Sequence, residues 1–176
     1  MVQNGGRGNE DLNVIPEPVM RLLEESRLLG KSVDCFDFVP SDYETVWNVL
    51  SQVRKKFTTE QGPVFCEWGS GLGVVTGMAE MLGFRASGIE IDAALAEQSR
   101  QLLQRHGLSA NIMTGSYLEL THTADVIFVY CWPGKMLETQ QHFIDTASPS
   151  ALLLICHGAS DVRCVDRQFL IDDRLT

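Results

Sequence analysis

The chain has 176 residues and a mass of 19.6 kDa, the size of one domain with one core. Its 44% hydrophobic and 21% charged residues exclude a disordered or fibrous chain, and its longest wholly apolar run, Val126–Trp132, is too short to cross a bilayer. A net charge of −9 opposes phosphate backbones and argues against bulk nucleic-acid binding, while the polar start Met1–Asn13 lacks the apolar core of an export signal.

Five scattered cysteines with no Cys-x-x-Cys pair give no disulfide framework and no zinc knuckle, so the expected compartment is reducing and cytoplasmic. The four histidines (His106, His122, His142, His157) have no ligand spacing, and no metal site is expected.

Residues 1–15 read as a flexible tail. Apolar Val19, Leu22, Leu23, Leu28 and Leu29 followed by Gly30 predict a short helix from Pro16 with a glycine stop. Ser41-Asp42-Tyr43-Glu44 has the form of a capping box. Behind it Tyr43, Val46, Trp47, Leu50, Val53 and Phe57 recur at helical spacing. Arg54-Lys55-Lys56, the nearest thing to a basic run, falls at that helix's end and suits its dipole.

From Gly62 onward strands and helices alternate. Pro63–Trp68, Arg85–Ile91, Ala110–Met113, Asp125–Cys131 and Ala151–His157 are expected strands. Val74–Leu82, Ala93–His106 and Lys135–Thr146 are expected helices, the first two stopped by Gly83 and Gly107, with Asp92 as a cap. Val162–Leu170 is expected to turn back as one more strand. Such alternation calls for a parallel sheet covered on both faces, with ligands beyond the C-terminal strand ends.

The most informative stretch is Glu67-Trp68-Gly69-Ser70-Gly71-Leu72-Gly73, between the first strand and its helix. Alternate glycines let backbone approach a ligand closely. A dinucleotide fingerprint would place its third glycine at Val74, and no Gly-Lys-Ser/Thr follows for a phosphate loop. Glu67 at the strand end opposes a pyrophosphate but suits a cation. Glu90, closing Gly88-Ile89-Glu90-Ile91-Asp92, is placed to accept from ribose hydroxyls. A ligand with a ribose, positive charge and no phosphate meets these demands.

Residues 62–134 thereby resemble the core of class I S-adenosylmethionine-dependent methyltransferases: Glu67–Gly73 matches their acidic-x-Gly-x-Gly-x-Gly motif and Glu90 their ribose-binding acid. Gly69-Ser70-Gly71-Leu72-Gly73 with Gly88-Ile89-Glu90 is further similar to Dot1-like and mitochondrial c-subunit lysine methyltransferases. The resemblance implies a three-layer α/β, Rossmann-like fold with a mostly parallel sheet, shortened at its C-terminal end. It implies helices over residues 16–60 that cover the cofactor site, and a binding domain over 61–176.

It also implies S-adenosyl-L-methionine as cofactor, contacted by Glu67, Gly69, Ser70, Gly71, Gly73, Glu90, Ile91, Ser116, Tyr117 and Tyr130. The acceptor is expected to be a small molecule or a protein side chain, with Tyr43, Trp132, Pro133 and His157 as candidates on its side. The chain departs from the family at Ser116, where an acid often holds the adenine amino group. Tyr130-Cys131-Trp132-Pro133-Gly134 likewise stands where amino-modifying enzymes carry Asn/Asp-Pro-Pro-Tyr, so base N-methylation is not supported. A cofactor-binding domain without catalysis, or a nicotinamide-type oxidoreductase, is the alternative.

Overall fold

The computed structural model describes residues 15–31, 42–120, 122–131, 133–158 and 161–173. Residues 1–14 of the expected tail, Ser41 and Trp132 lie outside them.

The first helix, α1 (Glu17–Gly30), buries Val19, Leu22, Leu23 and Ser26, one stripe at helical spacing. The second, α2 (Tyr43–Arg54), buries Val46, Trp47, Leu50 and Val53. Its cap is Asp42, one residue later than the Ser41 box predicts: Asp42 Oδ1 accepts from the Glu44 and Thr45 amides, and Oδ2 accepts from the Thr45 hydroxyl.

Strands β1 (Val64–Trp68), β2 (Arg85–Glu90), β3 (Asn111–Thr114), β4 (Val126–Tyr130), β5 (Leu152–Cys156) and β6 (Val162–Asp166) form one sheet in the order β3-β2-β1-β4-β5-β6. All neighbours are parallel except β5 and β6, paired antiparallel with Leu154 opposite Cys164. Between them run α3 (Val74–Met81), α4 (Ala93–Arg105) and α5 (Met136–Thr146), the last preceded by a 3-10 turn at Pro133–Lys135.

Alternation along the strands divides the core between two faces. Phe65, Val126, Phe128, Leu154 and Cys156 pack with residues of α1, α2 and α3. Cys66, Trp68, Ile127, Val129, Leu153 and Ile155 pack with Phe143 of α5 and Leu170. Strand β4 buries apolar side chains on both faces, which is why it reads as a continuous apolar run.

Three details differ from the sequence expectation or were silent in it. The expected strand over Val162–Leu170 ends at Asp166, whose carboxylate accepts from the Phe169 amide at 2.7 Å and starts a further helix, α6 (Arg167–Asp173). The link from β3 to β4 contains no helix among the described residues, only a turn at Tyr117–Glu119. On the outer strand β3, Arg100 of α4 donates to the Ile112 carbonyl (3.0 Å) and the Thr114 hydroxyl (2.6 Å), while also reaching Glu97 on its own helix.

Among the described residues no helix is long and apolar enough to cross a membrane.

Candidate functional site

Strand order reverses between β1 and β4, so the crevice of the sheet opens beyond the C-terminal ends of these strands. The glycine loop stands there. Gly69 and Gly73 have φ of 73° and 72°, left-handed values that side chains disfavour. A Cβ on Gly73 would come within 2.2 Å of Ser99 Oγ, so this glycine lets α3 approach α4. A Cβ on Gly69 would meet nothing within 4 Å. The first glycine therefore borders open space and the last serves packing.

The loop's amides are largely spent inside the protein. Those of Gly69 and Ser70 both donate to the Ile89 carbonyl at 2.9 Å, and that of Gly73 to the Ser70 carbonyl at 2.7 Å. The Gly71 amide donates to Glu90 Oε2 at 2.7 Å, while Asp92 N donates to Glu90 Oε1 at 2.9 Å. Glu90, 7% exposed, thus ties the loop to the end of β2 and retains lone pairs for further donors. A loop arranged this way presents few N–H groups to a phosphate.

Glu67, 5% exposed, is held from α3: its Oε2 accepts from the Thr76 amide (2.8 Å) and the Thr76 hydroxyl (2.6 Å). Burial pushes its acid up to about 8 against the lowering effect of the Thr76 bonds, and the neighbouring Glu90 adds to the rise. No Lys, Arg or His of the described residues pairs with either carboxylate. Tyr43, at the start of α2, stands close enough that burial and the Glu67 charge together hold its phenol proton well above the ordinary range. Two buried acids with no cationic partner among the described residues leave this end of the sheet better suited to a cationic group than to a phosphate.

Around these acids, Ile91 is 72% exposed directly after Glu90, an apolar surface at the crevice edge. Asp92 caps α4 through the amides of Ala94 and Leu95. Ser116 Oγ accepts from the Leu118 amide at 3.2 Å, and its carbonyl accepts from Glu119 and Leu120, so it starts the turn after β3. The Tyr117 ring stacks on Trp68 (centroids 5.1 Å, planes 5° apart), and its hydroxyl lies 3.2 Å from Thr139 Oγ1. Tyr130 is half-buried at the end of β4, and Pro133 begins the 3-10 turn beyond it. His157 follows β5, half-buried, its amide donating to the Asp161 carbonyl.

The structure thus gathers Glu67, the glycine loop, Glu90 and Tyr43 at one place. It sets Tyr117 against the sheet face shared with α5. Thr76, which holds Glu67, was not foreseen; its signal was a hydroxyl in the first turn of the helix that follows a strand-end acid. A separate cleft of about 460 Å³ lies at the opposite end of the sheet, bordered by Val64, Arg85, Asn111 and His122. Among the described residues no group of three His, Cys, Asp or Glu is placed to hold a metal ion.

No family model matches the sequence, and no curated protein matches it. Solved structures do match the fold. An RNA methyltransferase from Salinibacter ruber, in complex with S-adenosyl-L-homocysteine, is 20% identical with a TM-score of 0.51, over 81% of this chain and 76% of that one. The O-methyltransferase of Streptomyces achromogenes involved in tomaymycin synthesis, in complex with S-adenosylmethionine, is 17% identical with a TM-score of 0.56, over 82% and 67%. A Podospora anserina methyltransferase bound to S-adenosylhomocysteine is 15% identical with a TM-score of 0.60, over 80% and 62%, so this chain spans less than two thirds of that protein. The chain has the Rossmann-like fold of the S-adenosylmethionine-dependent methyltransferases.

Proposed function

We propose that this chain binds S-adenosyl-L-methionine in the crevice and transfers its methyl group to an acceptor. One observation carries the reading: two acidic side chains, both more than nine-tenths buried and without a cationic partner among the described residues, flank a loop whose amides are largely turned inward. A dinucleotide or nucleoside triphosphate would set phosphates against these acids at an energetic cost. A nucleoside carrying positive charge would instead neutralise them. The fold neighbours crystallised with S-adenosylhomocysteine or S-adenosylmethionine support the same ligand.

In this reading Glu90 accepts from the ribose hydroxyls, Ile91 supplies an apolar surface for the adenine, and Ser116 stands beside it. Gly69 gives the ligand room, and Glu67 with Tyr43 faces its amino-acid end. When bound, the cofactor supplies an electrophilic methyl on sulfur. The protein's part is to hold the acceptor in line with it, and such alignment is worth roughly 7–11 kcal/mol. Trp132, Pro133 and His157, which follow β4 and β5, are the acceptor side, and Tyr130 at the end of β4 lies on the cofactor side. The acceptor we favour is a small molecule or a protein side chain, in keeping with the net charge of −9. Because one fold neighbour is an RNA methyltransferase, RNA belongs among the acceptors tested.

Calorimetric titration with S-adenosylhomocysteine and with NAD is the first test. Binding of the former alone is expected, and binding of NAD alone overturns the reading. Tritium transfer from labelled cofactor into cell extract, resolved into protein, RNA and small-molecule fractions, then identifies the acceptor class. A second reading, a cofactor-binding domain without catalysis, is favoured by Ser116 standing in place of the acid, with its hydroxyl already engaged by Leu118. Ligand binding with no transfer into any fraction would select it.

A further inference from the structure

The cleft at the far end of the sheet follows from a gap in the covering layer. On the face that carries Cys66 and Ile89, α5 packs over β1, β4 and β5. The link from β3 to β4 adds no helix among the described residues, so the starts of β1, β2 and β3 border an opening of about 460 Å³. Register decides which side chains meet there. Val64 stands opposite Arg85 and Ser87 opposite Asn111, and alternation along the strands puts all four on this one face. Around the strand ends Phe84 and Ala86 add apolar surface, and Glu80 of α3 adds a carboxylate.

The walls of the cleft hold donors that the protein does not use. Arg85 and Asn111, both exposed, have no side-chain hydrogen bond or ion pair among the described residues. Ser87, 6% exposed, donates to the Phe65 carbonyl at 3.0 Å. Its one proton is thereby spent, so His122 Nε2, 3.1 Å from the same oxygen, is the donor of that contact. The imidazole is fixed from the sheet as a wall of the cleft. Glu80, by contrast, is saturated. Its Oε1 accepts from the Ser109 hydroxyl (2.7 Å) and amide (2.9 Å), and its Oε2 from the Ala110 amide (2.8 Å). Asp125, next to this end of β1, accepts from the Val64 amide at 2.8 Å. A second cation, Arg54, stands over the Phe84 ring with Cζ 6.0 Å from its centroid.

We propose that this cleft binds a small organic monocarboxylate, its carboxylate on the Arg85 guanidinium and Asn111 carboxamide and its carbon body against Val64, Phe84 and Ala86. The planar guanidinium fork matches a carboxylate with two parallel hydrogen bonds. The volume falls in the range of small-molecule sites, which combine apolar walls with a few convergent polar groups. Glu80 and Asp125 set the charge of the ligand. Arg85 offsets a single negative charge, whereas the second charge of a phosphate monoester meets these two acids. The site is independent of the proposed cofactor: Arg85 and Glu90 are the two ends of β2, roughly 16 Å apart along an extended strand.

The test is NMR titration of the isotope-labelled full chain with acetate, benzoate and phenylacetate, each beside its carboxamide, and with phenyl phosphate. At least one carboxylate should shift the amides of Arg85, Ser87, Asn111 and His122 saturably, with a Kd of about 1 mM or tighter. Its carboxamide should leave them unmoved, phenyl phosphate should bind more weakly, and S-adenosylhomocysteine should not displace it. Arg85→Gln should weaken the carboxylate at least about tenfold. Arg85→Lys, which keeps the charge without the fork, should fall between. Absence of saturable shifts up to about 10 mM of each carboxylate overturns the proposal. Equal response to the carboxamides, tighter binding of phenyl phosphate, shifts confined to the glycine loop, or undiminished binding by Arg85→Gln overturns it as well. Should that variant not fold, the carboxylate and carboxamide comparison on the natural chain decides alone.

Discussion

Gly69 and Gly73 provide a controlled pair, because their φ values are 73° and 72° but their surroundings differ. An alanine at either position bears the same left-handed strain, about 1–2 kcal/mol. At Gly69 nothing lies within 4 Å of the new carbon, so strain is the whole cost to folding. At Gly73 the carbon falls 2.2 Å from Ser99 Oγ and 3.4 Å from both Ile112 Cδ1 and Leu103 Cδ1, and overpacking adds about 1–3 kcal/mol. For a chain of this size each kcal/mol lowers Tm by about 2–4 °C. Gly69→Ala should therefore lose roughly 2–8 °C and Gly73→Ala roughly 4–20 °C by scanning calorimetry. The Ser99 hydroxyl has no hydrogen-bond partner among the described residues, so adding Ser99→Ala to Gly73→Ala should return part of the loss. Binding should show the reverse order. Gly69→Ala places a methyl group where the proposed ligand lies and should weaken S-adenosylhomocysteine at least about tenfold, a cost of about 1.4 kcal/mol. Gly73→Ala, titrated well below its Tm, should bind within a few-fold of the natural chain. Equal Tm losses would refute the packing distinction, and undiminished binding by Gly69→Ala would refute the ligand's placement.

Glu90→Ala should weaken S-adenosylhomocysteine by about 1.5–3 kcal/mol in calorimetric titration if the carboxylate takes charged hydrogen bonds from ribose; a much smaller loss returns it to a purely structural bond with Gly71 and Asp92. Ser116→Asp keeps an oxygen acceptor for the Leu118 amide and should tighten adenosine ligands several-fold, and unchanged affinity would place the adenine amino group elsewhere. In the ligand-free protein, Glu67 is raised from 4.5 to about 8 on folding, so its contribution is fully present below about pH 4.5 and is lost as pH rises through 8. Denaturant unfolding should thus show less stability at pH 8 than at pH 6, with a shallower slope in Glu67→Gln; equal slopes would count against a neutral buried acid.

Much of the fold was legible from local signals. Glycine stops after α3 and α4 and the apolar β4 run set those elements to within a residue or two. Where the expectation slipped, two short-range signals competed. At residues 41–44 both Ser41 and Asp42 are capping residues, and Asp42 prevails by taking two amides. At Asp166 the apolar residues beyond continue a strand pattern, but the carboxylate closes on the Phe169 amide and starts a helix. The two acids of the candidate site were legible because each ends a strand. Their partners were not: the Thr76–Glu67 and Gly71–Glu90 bonds join residues nine and 19 positions apart, and the Trp68–Tyr117 stack spans far more, with no period to betray them.

Arg100 bears on how the molecule behaves in a crowd of its own kind. An outermost strand offers its backbone as a template for aggregation, and here that strand is β3, whose Ile112 carbonyl is occupied by the Arg100 guanidinium. At the other margin, β6 is only five residues long and bears Arg163 and Asp166. Colloidal behaviour is thus guarded locally, by charged side chains posted at both borders of the sheet, in addition to the mutual repulsion of an acidic surface.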